Sequence, residues 1–152
     1  MGLVSWMFLE GKWKARAVEE NSFGEEGVVE GDNEFKVDLG GKFITGRERS
    51  YRGDTEVHTL LTVMFYDEEE GLLRRKAFFS YGFVNNEVEI ESSEDFVRFQ
   101  ITMEPITEFF KGTVWRSYIR KVSDDVVLEG LESSKDGVEY TLFGETRMER
   151  VK

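Results

Sequence analysis

Short runs in which apolar and polar residues alternate, separated by clusters of turn residues, recur along almost the whole chain. In FVRFQITM, residues 96–103, every odd-numbered position is apolar: Val97, Phe99, Ile101 and Met103. A repeat of two residues indicates a β-strand, because successive side chains point to opposite sides of a strand. The same pattern in NEVEIES, residues 86–92, predicts that Val88 and Ile90 face inward and the glutamates outward.

Ten segments carry the strand pattern, and residues that favour tight turns lie between them. The turns include RGD at 52–54, NN at 85–86 and SKDG at 134–137. The predicted strands are 11–20, 27–38, 42–52, 55–66, 72–83, 87–92, 95–104, 112–122, 125–133 and 137–149. Helical periodicity is nearly absent after residue 10, so the sequence predicts an antiparallel sheet with up-and-down topology.

An open sheet of this size would leave two edges with unpaired backbone groups, and closure into a barrel removes both. We therefore predict an all-β fold: one antiparallel up-and-down barrel of 8–10 strands, formed by a single domain over residues 1–152. A short N-terminal helix over residues 3–9, which contains Trp6, Phe8 and Leu9, is predicted to cover one end of the barrel.

The composition narrows the classes of partner. Acidic residues outnumber basic ones by 31 to 20, for a net charge of −11, which opposes binding to nucleic acid or to an anionic membrane. Cysteine is absent, so no disulfide, thiolate nucleophile or cysteine-bound metal is expected. The apolar start has no basic residues before it, which predicts a cytoplasmic protein. Charged residues make up 34% of the chain, a bias that is typical of thermophile proteins.

The sequence contains no recognisable catalytic or metal-binding motif. The single histidine, His58, lies in no G-x-S-x-G context. The acidic clusters at 67–71 and 123–125 lack the spacing of a calcium loop, and Gly40-Gly41 precedes a strand rather than a helix, unlike a phosphate-binding loop. We therefore predict no catalytic residues and no metal ligands. Enzyme activity, such as isomerisation in the barrel interior, is the third alternative after ligand binding and protein interaction.

One side of the predicted strand 42–52 places two arginines among aromatic residues. The side chains that share this side are Phe43, Thr45, Arg47, Arg49 and Tyr51. The opposite side is more hydrophilic and suits solvent. If the first side faces the barrel interior, both guanidinium groups need anions, because unpaired charges are costly in a low-dielectric cavity.

Two sources of these anions remain open. Glutamates on other strands, such as Glu129 or Glu145, could pair with the arginines, or the arginines could extend to the rim. Alternatively, a ligand could supply a carboxylate, held by the arginines and Tyr51, while aromatic residues contact its apolar tail. The candidate ligand-binding residues are Arg47, Arg49, Tyr51, Phe79 and Tyr81.

The two ends of the chain carry a resemblance to a known superfamily. WMFLEGKWKARA resembles the G-x-W start of calycins, the superfamily of lipocalins and fatty-acid-binding proteins, and DGVEYTLFGETRMERV resembles their closing strand. The ordered segments FLEGKW, VDLGGKFITGRE, MFYDEEEGLLR and SSKDGVEYTLFGETRMER resemble a family of uncharacterised lipocalin-like domains that is distantly similar to nitrobindins. The resemblance implies that Gly11 and Trp13 help to close the barrel, with Arg147 or Arg150 packed over Trp13.

The same resemblance implies a small hydrophobic or anionic amphipathic ligand in the barrel interior. The alternative is a barrel filled by its own aromatic residues, which acts as a homodimer through outer residues such as Trp115 or Phe78. Nitrobindins bind haem through a histidine near the C-terminal end. Because the only histidine here is His58, we predict that the protein uses neither haem nor another cofactor.

Overall fold

The computed structural model describes residues 2–19, 27–105, 108 and 110–152. A short 3-10 helix over Leu3–Leu9 precedes ten β-strands. The strands are β1 Gly11–Ala17, β2 Glu30–Asp38, β3 Phe43–Arg52, β4 Thr55–Asp67, β5 Leu72–Phe79, β6 Val84–Ser93, β7 Phe96–Glu104, β8 Val114–Ser123, β9 Val126–Ser134 and β10 Thr141–Arg150. Each pairs antiparallel with its sequence neighbours, and β1 pairs with β10. The predicted closed up-and-down barrel is therefore confirmed.

Several strand boundaries differ from the predicted ones. The predicted strand 72–83 ends at Phe79, because the chain turns at Gly82, whose positive φ of 95° suits glycine. The predicted strand 137–149 begins only at Thr141, because Asp136 Oδ1 accepts hydrogen bonds from the backbone N–H groups of Val138 and Glu139. Residue 20, the predicted end of the first strand, lies outside the described residues.

The N-terminal helix packs against one end of the barrel, as its apolar sequence predicts. Leu3, Trp6 and Leu9 are buried in a cluster with strand residues such as Ile44 and Met148. Burial of these large side chains fills this end of the barrel and provides its main hydrophobic stabilisation. The opposite end is not filled in the same way, and the interior is therefore divided into a packed half and an open half.

Trp13 and Arg150 close the barrel where β1 meets β10. The guanidinium carbon of Arg150 lies 4.4 Å from the centroid of the Trp13 ring, and the indole N–H donates to the carbonyl of Leu9 at 2.8 Å. A Cβ atom at Gly11 would lie 2.8 Å from Arg150 Nη1, so this position leaves room for the arginine. Arg147 is exposed and pairs with Glu149 instead. Of the two candidate arginines, Arg150 contacts Trp13.

Two strands present the opposite face to the one that their sequences predict. In β6, Glu87 is buried with 2% exposure, whereas Ile90 is 51% exposed on the outside. In β3, Glu48 is buried, and Arg47 and Arg49 are exposed on the outer face. The predicted inward orientation of these arginines, and of Val88 and Ile90, is therefore wrong. By contrast, Val97, Phe99, Ile101 and Met103 of β7 face inward as predicted.

Candidate functional site

A cavity of about 500 Å³ occupies the half of the barrel away from the N-terminal helix. Its lining shares only Ala15 with the packed apolar cluster at the other end. Tyr81 lines the cavity and is 60% exposed, so the cavity reaches solvent beside it. This volume is within the range of small-molecule sites, which is about 300–1,000 Å³.

The outer part of the cavity is lined by an aromatic wall, which consists of Phe79, Tyr81, Phe83, Phe110 and Phe143. The rings of Phe79 and Phe83 stack with centroids 4.5 Å apart, and Phe83 meets Phe110 edge-on at 5.6 Å. Phe143 contacts Trp115 at 5.0 Å. The wall is thus a continuous apolar surface held by ring–ring contacts, which suits the apolar part of a ligand.

The deep part of the cavity contains a charged group of four residues, which we call the polar floor: Glu48, Arg75, Glu87 and Glu129. Arg75 binds Glu87 through two parallel bonds, from Nε at 2.9 Å and from Nη2 at 3.0 Å. Its Nη1 donates to Glu129 at 3.3 Å. Strand pairing places Arg75 directly across from Glu87, whereas Glu129 comes from β9 on another part of the barrel wall.

Neighbouring polar side chains hold the carboxyl groups of the floor. The hydroxyl of Ser117 donates to Glu87. Asn33 Nδ2 donates to Glu48 Oε1 at 3.2 Å. Both partners are buried, so these bonds replace water contacts that the carboxyl groups lose on folding.

The environment of the polar floor raises the pKa of two glutamates. Burial, followed by the negative charge of Glu129, raises the pKa of Glu48 from 4.5 to about 8, although Arg75 opposes this change. Burial also raises the pKa of Glu129, with Arg75 again opposing. For Arg75, burial disfavours the charge, but Glu87 and Glu129 outweigh burial and raise its pKa. The floor therefore keeps its guanidinium charged and holds at least one carboxyl group in the protonated form near neutral pH.

One further polar group faces the cavity with no partner. The side chain of Asn85 lines the cavity and is 8% exposed. Its Oδ1 atom accepts no hydrogen bond from any residue that the structure describes. A buried carbonyl oxygen in this state loses the bonds that it would make to water.

His58 also lines the cavity, near the aromatic wall. Its Nε2 lies 3.4 Å from Ser50 Oγ, and its ring is 6.3 Å from Phe79 and 5.7 Å from Tyr81. His58 faces the same side of β4 as Leu60, and both line the cavity. In the described ranges, no group of three or more histidine or acidic residues is arranged to hold a metal ion.

Of the predicted ligand-binding residues, the structure brings only Phe79 and Tyr81 to the cavity. Arg47 and Arg49 lie on the outer face of β3, so they cannot contact a molecule inside the barrel. Tyr51 follows a β-bulge and lines a separate pocket with Lys14 and Arg16. Whether Phe79 and Tyr81 bind a ligand stays a prediction.

Sequence reasoning named Glu129 as a possible interior anion but missed the other members of the polar floor, Glu48, Arg75 and Glu87. The sequence predicts Glu87 on the outside because its neighbours in β6 are apolar, and Glu48 on the outside because its face of β3 is more hydrophilic. Trp115, predicted as an outer residue of a dimer face, is buried with 6% exposure. The opposite charges of Arg75 and Glu87 are a signal for a shared face, but the turn predicted at residues 85–86 hides their pairing, because these residues lie inside β6.

Comparisons with known proteins identify a similar fold but indicate no function. No family model matches the chain, and no curated protein matches it in sequence. Rv2717c from M. tuberculosis has a similar structure, with a TM-score of 0.73, 13% identity, and coverage of 99% of this chain and 97% of that one. EF1p2_mFAP2b bound to DFHBI matches with 14% identity and 97% coverage of each chain. Its TM-score of 0.40 is too low to indicate a shared fold.

The fold class follows from the barrel, and Rv2717c shares that fold. A closed antiparallel barrel of ten strands with a short N-terminal helix fits a lipocalin-like fold. At 13% identity, the similarity to Rv2717c shows the fold alone. Within the described part of the chain, no helix has the length and hydrophobicity that crossing a membrane requires.

Proposed function

We propose that the protein binds one small, mostly apolar ligand inside the barrel. The observation that carries this proposal is the cavity of about 500 Å³ between the aromatic wall and the polar floor. An apolar lining with a few convergent polar groups is the usual composition of a small-molecule site. The structure of the interior supports binding better than the filled-barrel alternative, in which the aromatic residues would occupy this space.

The chemistry of the ligand differs from the carboxylate that the sequence suggested. That suggestion depended on Arg47 and Arg49 facing the interior, and both are on the outer face. Arg75, which lines the cavity, already has Glu87 and Glu129 as partners. The proposal is therefore an uncharged or apolar body in the aromatic wall, with any polar group of the ligand directed at the floor.

Three finer predictions accompany this proposal. We propose that the chain is a distant relative of nitrobindins and fatty-acid-binding proteins, on the ordered motifs of its sequence and the barrel that they imply. We propose that it acts in the cytoplasm as a binding protein rather than as an enzyme. A homodimer through an exposed residue such as Phe78, which is 42% exposed, stays a prediction.

The proposal is tested with the neutral fluorophore N-phenylnaphthylamine, whose emission rises in an apolar site. We expect saturable binding of one molecule per chain by the wild type. The Ala77→Trp substitution places a large ring in the cavity, because Ala77 lines it and is 3% exposed. We expect this variant to bind at least about tenfold more weakly, a loss of about 1.4 kcal/mol.

The matched control is Lys76→Trp, which adds the same ring on the exposed side of the same strand. This variant should bind as the wild type does. Circular dichroism shows whether both variants are folded. Absence of saturable binding by the folded wild type, or equal binding by both variants, would contradict the proposal.

A further inference from the structure

The polar floor has an excess of acidic groups over basic ones. Three glutamates, Glu48, Glu87 and Glu129, face the single arginine of the floor. Even with Glu48 protonated, Glu87 and Glu129 outnumber Arg75. The N–H groups of Arg75 are directed at Glu87, Glu129 and Ser117, so the guanidinium charge is already compensated. An anionic group that entered this space would find no unpaired cation and would lie beside more carboxyl groups than guanidinium groups.

A second, independent observation indicates a hydrogen-bond donor. Asn85 lines the cavity and is 8% exposed, and its buried Oδ1 atom has no donor among the residues that the structure describes. Buried carbonyl oxygens are nearly always hydrogen-bonded in native proteins. A donor from a bound molecule would supply the missing bond, whereas a carboxylate or a phosphate offers only acceptors.

The aromatic wall is a third feature that favours a cationic ligand. Ring faces carry partial negative charge and attract cations within about 6 Å of the ring centroid. Phe79, Phe83 and Phe110 line the same cavity as the polar floor, and the cavity reaches solvent beside Tyr81. A cation that passes this wall therefore meets attractive groups before it reaches the carboxyl groups.

We propose that the ligand is an amphiphile with an aromatic or aliphatic body and a nitrogen-centred cation, whose body packs on the aromatic wall while its N–H groups donate to the acceptors of the floor. This inference rests on the proposed function and adds the chemical class of the ligand. The acceptors that define the class are the carboxyl groups of Glu48 and Glu129 and the Oδ1 atom of Asn85.

The test uses three probes with the same ring system and different polar groups: naphthylmethylammonium, naphthylmethanol and naphthoate. Binding is measured by isothermal titration calorimetry at neutral pH. We expect the ammonium to bind at least about tenfold more tightly than the alcohol, because charge-assisted hydrogen bonds are about twice as strong as neutral ones. The carboxylate is expected to bind most weakly, since it meets the acidic floor.

Two pairs of variants test which residues cause the preference for the ammonium probe over the alcohol. Glu48→Gln removes a carboxyl group of the floor that can ionise beside a bound cation, and Glu34→Gln removes a carboxyl group on the outer face of β2. Asn85→Leu removes the unpartnered oxygen, and Asn86→Leu changes the same residue type on the other side of β6. The ammonium preference over the alcohol should fall at least about threefold in Glu48→Gln and in Asn85→Leu, and stay unchanged in both controls.

The outcomes separate this inference from the proposed function. If N-phenylnaphthylamine binds the wild type but the three probes bind equally, or the carboxylate binds most tightly, the inference is overturned and the proposed function stands. If the ammonium preference survives in both Glu48→Gln and Asn85→Leu, the floor is not its origin and the inference is also overturned. If none of the four probes binds, both proposals fail.

Discussion

Glu48→Gln should stabilise the protein relative to the wild type at alkaline pH and lose this advantage at acidic pH. Burial, followed by the charge of Glu129, raises the pKa of Glu48 to about 8, whereas the unfolded chain titrates near 4.5. At pH values between 4.5 and about 8, Glu48 keeps its proton in the native state and loses it in the unfolded state. The stability contributed by protonated Glu48 is therefore fully present below pH 4.5 and is lost as the pH rises through about 8.

The size of the effect follows from the two pKa values. Each pKa unit between the folded and unfolded states corresponds to about 1.4 kcal/mol. The difference between 4.5 and about 8 therefore sets an upper limit of about 5 kcal/mol for Glu48. Arg75, Glu87, Glu129 and the amide of Asn33 surround this carboxyl group and can adjust when it ionises. We expect a change of about 2–5 kcal/mol across this pH range.

The measurement is urea unfolding of both proteins at a series of pH values from acidic to alkaline. The difference in free energy of unfolding between Glu48→Gln and the wild type should grow as the pH rises, because glutamine cannot ionise. Comparing the two proteins cancels groups that titrate alike in both. Glu34→Gln, on the exposed face of β2, is the control and should give a nearly constant difference. A constant difference for Glu48→Gln as well would refute the buried, protonated carboxyl group.

Three further predictions concern the barrel and its cofactor chemistry. Trp13→Ala should cost about 3–5 kcal/mol in the free energy of unfolding, because Trp13 is 1% exposed in the packed cluster; a cost below about 1 kcal/mol would contradict its closing role. Arg150→Met should destabilise by about 2–3 kcal/mol, since it removes hydrogen bonds to Asp125 and Glu10, whereas Arg147→Met should stay within about 0.5 kcal/mol. Hemin titration should give no Soret band that His58→Ala abolishes, and such a band would indicate iron ligation by His58.

The barrel was predictable from the sequence because its signals are local. Alternation over a few residues indicates a strand, and the glycines and acidic residues between the runs indicate turns. Gly82 and Asp136 are turn residues that the sequence also shows. Their effect on where the strands end depends on backbone geometry, which cannot be inferred from the alternation of apolar and polar residues. The number and order of strands follow from local patterns, and their ends depend on single hydrogen bonds.

The closing contact was predictable only as a choice between two residues. Arg147 and Arg150 both lie near the chain end, but they are three positions apart and face different sides of β10. Register places Arg150 directly across from Trp13, whereas Arg147 lies across from Arg16 of β1. Register depends on how β1 and β10 meet, and no short segment of sequence contains both strands.

The polar floor was not predictable from alternation, because a repeat of two residues divides a strand into two faces without showing which face is inside. Hydrophobicity normally decides, and in β6 it favours Val88 and Ile90 over Glu87. The opposite arrangement is stable because Glu87 meets Arg75 of the neighbouring strand in two parallel hydrogen bonds, which offset the cost of burying its charge. Glu129 joins them from 54 residues away. The unfilled interior permits this arrangement, because the charged side chains line a cavity and do not displace apolar side chains from a packed core.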